Sequence, residues 1–262
     1  MCALSNSFFQ SLIARLDDEN TIGVTMAGSF ARDEGGPYSD VDIQHYVRQM
    51  PADPARNYYL RFMDGFLVSI SVGTLEQEYA NLRDPKKAIW AVPGLRQACI
   101  LLDKDGSVAA LKDSAEKFTW PSMQNAANTF ASWNLSGCAE EVHKILDGLA
   151  KRYESKTLYA IWGLTREIAL TLLVQRGILI QTENAFIGLA QETAGRTSEW
   201  TRQFRLAIGL DPLPLGEPAF VGYGKAGLRL YCETAVLLQD ILLPEEAEVV
   251  NRTLEIIMEA GY

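Results

Sequence analysis

The period of the apolar residues changes once along the chain, near Trp120–Pro121. Before that point, short stretches alternate with period two; after it, apolar residues return every three or four positions. Four segments read as strands: 21–27 (TIGVTMA), 41–47 (VDIQHYV), 66–72 (FLVSISV) and 99–102 (CILL), the last closed by the turn signal at 103–106. Ser5 is placed to cap a helix with Phe8, Phe9, Leu12, Ile13 and Leu16 on one face. Thr74 and Gln77 match a capping box opening a helix over 75–82.

Beyond Pro121, Phe130, Trp133, Cys138, Val142, Ile145, Leu146 and Leu149 follow a near-helical spacing, as do Leu158, Ile161, Thr165, Ile168 and Leu172, with Gly177 as a stop. Further helices are predicted near 182–193, 197–207, 225–242 and 244–260, and the proline- and glycine-rich stretch 209–224 reads as a loop that includes Tyr223. Strands first and helices later predict an α+β fold: a domain with a small mixed sheet over 1–120, then an all-α helical-bundle domain over 121–262.

Charge and cysteine usage narrow the function classes. The net charge is −9, from 33 acids against 24 bases, a poor balance for gripping long nucleic acid. A cationic small substrate suits that field better. No unbroken apolar run reaches the ~18 residues of a membrane span, so no membrane association is expected. The first residues lack a basic leader and meet acids early, unlike a signal peptide. Cys2, Cys99, Cys138 and Cys232 show no C-x-x-C spacing; three lie among apolar residues as small core side chains, which fits a reducing cytoplasm.

The chemistry concentrates in MAGSFARDEGGPYSDVDIQHYV, residues 26–47. A strand ends at Gly28–Ser29, a polar turn passes Gly35, Gly36 and Pro37, and the chain returns on a strand carrying Asp40 and Asp42. Glycine allows close backbone approach to a phosphate. Ser29 would begin a short helix whose free N–H groups and hydroxyl suit phosphate oxygens. Alternation puts Asp40 and Asp42 on one face and Val41, Ile43 and Val47 on the other. Two such carboxylates suit Mg2+, which takes oxygen ligands and often binds through few carboxylates plus substrate phosphates. His45 shares the parity of Val41 and Ile43 and reads as structural, as does the isolated His143; the five tryptophans read as core or interdomain packing.

Gly28–Ser29 followed by Asp40–Val41–Asp42 resembles the signature of the DNA polymerase β-like nucleotidyltransferase superfamily. The fuller run GSF-x-x-x-EGG-x-YSD-x-D is similar to bacterial antibiotic nucleotidyltransferases, most of all the lincosamide class, with the aminoglycoside enzymes as relatives. The resemblance covers about the first 105 residues; over the helical half it rests on architecture and length.

The resemblance implies transfer of a nucleoside monophosphate from a nucleoside triphosphate to a small-molecule hydroxyl, usually an antibiotic's, with release of pyrophosphate. It implies Asp40 and Asp42 as metal ligands, and Gly28, Ser29 and Arg32 beside the phosphates. It also implies Glu78 as general base, with Glu76 as the fallback, and a cation from the helical domain: Lys156, or its rivals Lys151 and Arg152. A homodimer is within the family's habits. One departure stands out. The superfamily's third carboxylate belongs on the next strand, where the site-facing positions are Leu67, Ser69 and Ser71, and Asp64 lies only just before that strand. The alternative reading is therefore a catalytically weakened nucleotide-binding sensor or partner protein. Transfer to a protein, as in shorter toxin–antitoxin relatives, ranks below both.

Overall fold

The computed structural model describes residues 4–214 and 216–262, so Cys2 lies outside the described residues. The chain divides into two compact units, Met1–Trp120 and Pro121–Tyr262.

In the first unit, the Ser5 hydroxyl accepts the Phe8 N–H at 3.1 Å and starts α1 (Asn6–Leu16). Strand β1 (Thr21–Ala27) runs straight into a single helical turn, α2 (Gly28–Ala31), and β2 (Val41–Val47) returns beside it. A hairpin of β3 (Tyr58–Met63) and β4 (Phe66–Gly73) follows, then α3 (Leu75–Asn81), α4 (Pro85–Gln97), β5 (Cys99–Asp103) and α5 (Ser107–Glu116). The capping box is complete: Gln77 N–H donates to Thr74 Oγ1 at 3.2 Å, and Thr74 N–H to Gln77 Oε1 at 3.0 Å.

The sheet order is β3-β4-β2-β1-β5. Only β2 and β4 pair parallel, so the sheet is mixed. On one face Phe8, Leu12 and Leu16 of α1 form a core with Val24, Met26, Val41, Ile43, Val68 and Ile70. His45 belongs to that face. It is buried, 2.9 Å from the Thr21 hydroxyl, and desolvation lowers its pKa. The other face carries Asp42, Gln44 and Tyr46, the alternate positions of β2.

Strand β3 is absent from the sequence reading because YYLRFM does not alternate apolar with polar residues. Met63 is buried against the core and Tyr59 packs at its edge, while Tyr58, Leu60 and Phe62 are exposed on the Asp42 face. The strands meet at Asp64–Gly65, both with positive φ (49° and 86°), the backbone that a tight two-residue hairpin turn requires. Asp64 is therefore an exposed turn residue and not a stand-in for the missing third carboxylate.

The second unit is helical: α6 (Gln124–Gly137), α7 (Ala139–Ala150), α8 (Glu154–Gln175), α9 (Phe186–Ala194), α10 (Glu199–Ala207), α11 (Ala219–Leu238) and α12 (Pro244–Glu259). Helix α8 has the length and mean hydropathy of a membrane span although polar residues interrupt it, but 67% of its most apolar window is buried within the fold, the behaviour of a core helix. It ends in a Schellman motif, with Gly177 at φ 66° donating to Val174 O and Ile178 N–H to Leu173 O.

The stretch predicted as a loop, 209–224, instead gives its last residues to α11, and Tyr223 is helical. The glycines there serve packing. A Cβ on Gly224 would stand 2.9 Å from Leu149 and 3.2 Å from Thr157, and one on Gly222 would stand 2.9 Å from Leu213. The tryptophan reading also needs correction: Trp200 is buried, donating to Thr234 Oγ1 at 2.8 Å, whereas Trp133 and Trp162 are exposed.

Candidate active site

The site forms where β1 ends and β2 begins. Ala27 pairs with Asp42 across the two strands, so the first residue of α2, Gly28, sits directly over the Asp42 carboxyl. Gly28 has φ 67°, and a Cβ built on it would fall 1.9 Å from Asp42 Oδ2. Two constraints thus select glycine here: a left-handed backbone and a side-chain-free contact with the carboxylate. The following loop is held by Ser39, whose hydroxyl accepts the Gly36 N–H at 3.0 Å, and by Gly35, which packs on the Phe30 ring.

Asp42 is half-buried, and its Oδ1 accepts a hydrogen bond from Ser69 Oγ at 2.9 Å. Ser69 is its partner in the parallel register, on the strand where the superfamily's third carboxylate is expected. Asp40 lies just before β2 and is also half-buried. The Ser29 hydroxyl has no hydrogen-bond partner among the described residues, while its carbonyl accepts from the Arg32 and Glu34 N–H groups.

The remaining sequence candidates are spread more widely. Arg32 follows α2, but its guanidinium is engaged by Glu34 at 2.8 Å and by Gln97 Oε1 at 3.3 Å. Glu78 lies in the first turn of α3, where burial raises its pKa against the opposing pull of an Asn81 hydrogen bond and Lys87. It is near enough to Tyr46, on the Asp42 face of β2, to help keep that phenol protonated, after burial as the main cause. At a strand rise of about 3.3 Å per residue, Tyr46 is about 13 Å along β2 from Asp42. The fallback Glu76 is exposed. Lys156 belongs to the second unit, where it donates to Asp147 Oδ2 at 2.6 Å; Lys151 pairs with the same carboxylate, and Arg152 has φ 52°.

Among the described residues, no group of three or more His, Cys, Asp or Glu side chains is arranged to hold a metal. The oxygens at Asp42 are its own carboxylate and the Ser69 hydroxyl, with Asp40 two residues earlier in the chain. That set fits a hard divalent cation completing its shell with substrate phosphate and water, and does not suit a thiolate- or imidazole-seeking metal.

Reading the sequence alone missed one lateral feature. Leu60 pairs with Ser69, which pairs with Asp42, so an apolar edge formed by Leu60 and its neighbours Tyr58 and Phe62 extends from the carboxylate across the same face. The Asp64–Gly65 dipeptide was the signal that pointed to it.

Residues 28–31 thus form a helical turn against the Asp42 strand of a five-stranded mixed sheet. Residues 10–87 match the family described as nucleotidyltransferase domain, which implies a nucleotide substrate. The crystal structure of a nucleotidyltransferase-like protein from Exiguobacterium sibiricum 255-15 is similar with a TM-score of 0.50 and 12% identity, over 98% of this chain and 80% of that one. A likeness at that identity concerns the fold. No curated protein matches the chain.

Proposed function

We propose that the protein transfers a nucleoside monophosphate from a nucleoside triphosphate to a hydroxyl of a small molecule. The observation that carries this reading is the contact between Gly28 and the Asp42 carboxylate, which joins a phosphate-type turn to a metal-type acid within one sheet. Asp40 and Asp42 would hold Mg2+, which supplies charge neutralisation for the triphosphate when bound. Gly28 and Ser29 offer backbone room and a free hydroxyl to the phosphates. The acceptor oxygen bonds to the α-phosphorus, the bond from that phosphorus to the bridging oxygen breaks, and pyrophosphate leaves. The acceptor proton passes to a carboxylate within reach of the attacking oxygen, for which Glu78 is the candidate; burial raises its pKa and makes it a stronger base than an exposed carboxylate. The exposed row Tyr58, Leu60 and Phe62 favours an acceptor with an apolar body, in keeping with an antibiotic of lincosamide type. Cys99, Cys138 and Cys232 are free thiols, in keeping with a cytoplasmic setting.

The test is pyrophosphate release with each nucleoside triphosphate, Mg2+ and a panel of lincosamides and aminoglycosides, comparing the parent with Asp42→Asn. Asn at position 42 still accepts the Ser69 hydrogen bond, so the fold is kept while the charge is lost. Turnover abolished in the variant supports the reading; equal release by both proteins refutes it. Ser69 in place of an acid favours a second reading, a nucleotide-binding protein with little catalysis. Metal-dependent nucleotide binding without turnover on any acceptor identifies that case.

A further inference from the structure

The sheet face opposite Asp42 carries a concavity of about 350 Å³, lined by Leu12, Leu16, Tyr59, Met63 and Ile70 and rimmed by Arg15, Arg56 and Arg61. Its volume lies within the range of small-molecule sites, roughly 300–1,000 Å³. No carboxylate lines it. The chain carries a net −9, and most of its other arginines are tied to acids, among them Arg32, Arg196, Arg202, Arg205 and Arg252. At the rim this pattern fails. The Arg15 and Arg56 side chains have no hydrogen bond or ion pair among the described residues, and Arg61 reaches only the carbonyl of Leu60. The Arg61 guanidinium lies 4.9 Å over the Tyr59 ring, and the charges of both Arg61 and Arg56 act on the Tyr59 phenol, opposing the burial that raises its pKa.

Each arginine alone has an ordinary explanation. Arg15 suits the last turn of a helix, and charged residues protect an edge strand such as β3. Neither explains why three guanidiniums with no acid partner among the described residues converge on one apolar-floored hollow. Guanidinium forks match phosphate oxygens in pairs, and unpaired charges held together repel until an anion joins them. We infer that this pocket binds a small phosphorylated molecule, its phosphates on Arg15, Arg56 and Arg61 and its apolar or ring portion against Tyr59, Met63 and Ile70.

Isothermal titration with ADP in EDTA tests it, because chelation removes the metal-dependent site on the other face. The parent and Asp42→Asn should bind alike. Arg15→Gln/Arg61→Gln should bind at least about tenfold more weakly, the effect of losing charge-assisted hydrogen bonds. Arg48→Gln/Arg176→Gln, which removes two exposed arginines elsewhere, controls for the loss of two charges and should bind like the parent. The rim arginines are exposed, so unchanged thermal midpoints are expected to accompany the loss. Absence of binding to the parent, equal binding by the double variant, or loss in Asp42→Asn alone overturns the inference. A single-stranded oligonucleotide bound tenfold more tightly than ADP overturns it too, in favour of a nucleic-acid surface.

Discussion

The Asp42 carboxylate and the Cα of Gly28 touch with no room for a side chain between them: a Cβ at position 28 would lie 1.9 Å from Oδ2 and 2.9 Å from Cγ. Gly28→Ala is therefore expected to lower stability by on the order of 2 kcal/mol or more, from a strained positive φ together with overpacking. It should also displace the carboxylate and abolish metal-dependent pyrophosphate release. Denaturant titration and a turnover assay measure the two effects. A variant as stable as the parent would show that the contact is not obligatory.

Ser69 occupies the register position beside Asp42. In Ser69→Asp two carboxylates face each other across adjacent strands, and like charges so placed destabilise a sheet. The thermal midpoint in EDTA should fall below the parent's, and Mg2+ should raise it by more than it raises the parent's. An equal metal response in both proteins would place the cation elsewhere.

Glu78 carries the pH prediction. Burial raises its carboxyl pKa above the ordinary 4.5, so the folded protein holds that proton more tightly than the unfolded chain does. The resulting stability is fully present below pH 4.5 and is lost as pH climbs through the raised value. Glu78→Gln keeps the hydrogen-bonding shape without the charge. It should be more stable than the parent at neutral pH, with the gap closing in acid, and about 100-fold slower in transfer. Urea midpoints at the two pH values and the acid limb of kcat/KM report both effects. Lower stability of the variant at neutral pH would contradict the buried-charge assignment.

In the helical unit, Gly148 of α7 meets α8 closely. A Cβ there would stand 2.3 Å from Thr157 Oγ1 and 3.2 Å from the Thr157 backbone nitrogen. Thr157 is fully buried and its hydroxyl donates to Tyr153 O, so it has little room to yield. Gly148→Ala should cost about 1–3 kcal/mol by overpacking, against about 1 kcal/mol gained in helix propensity. Calorimetry gives the sign; net stabilisation would mean that the helices move apart freely.

Where one local rule decides an element, the sequence was enough. Ser5 and Thr74–Gln77 start helices by side-chain capping, and β1 and β2 follow from alternation and from the glycine that ends β1. What escaped depends on tertiary partners. The polarity of β3 does not alternate because its exposed face is also apolar. The first turns of α11 look like a loop because glycine weakens a helix in isolation, yet against Leu149 and Thr157 only a small residue fits. At the site, Gly28 and Asp42 were legible through their spacing. That Ser69 reaches Asp42, and that Glu78 lies toward the other end of β2, follows from a parallel register that local patterning does not encode.

That parallel pairing also orders the assembly of the site in time. Asp42 and Ser69 are 27 positions apart, separated by a complete hairpin strand, so their contact closes a long loop where β3–β4 closes a short one. Loop closure costs entropy before any contact rewards it, and the longer closure is the slower. The β3–β4 ribbon is thus the early partner and its docking on β2 the late event. Substitutions at Asp42 or Ser69 should accordingly speed unfolding while leaving the refolding rate nearly unchanged.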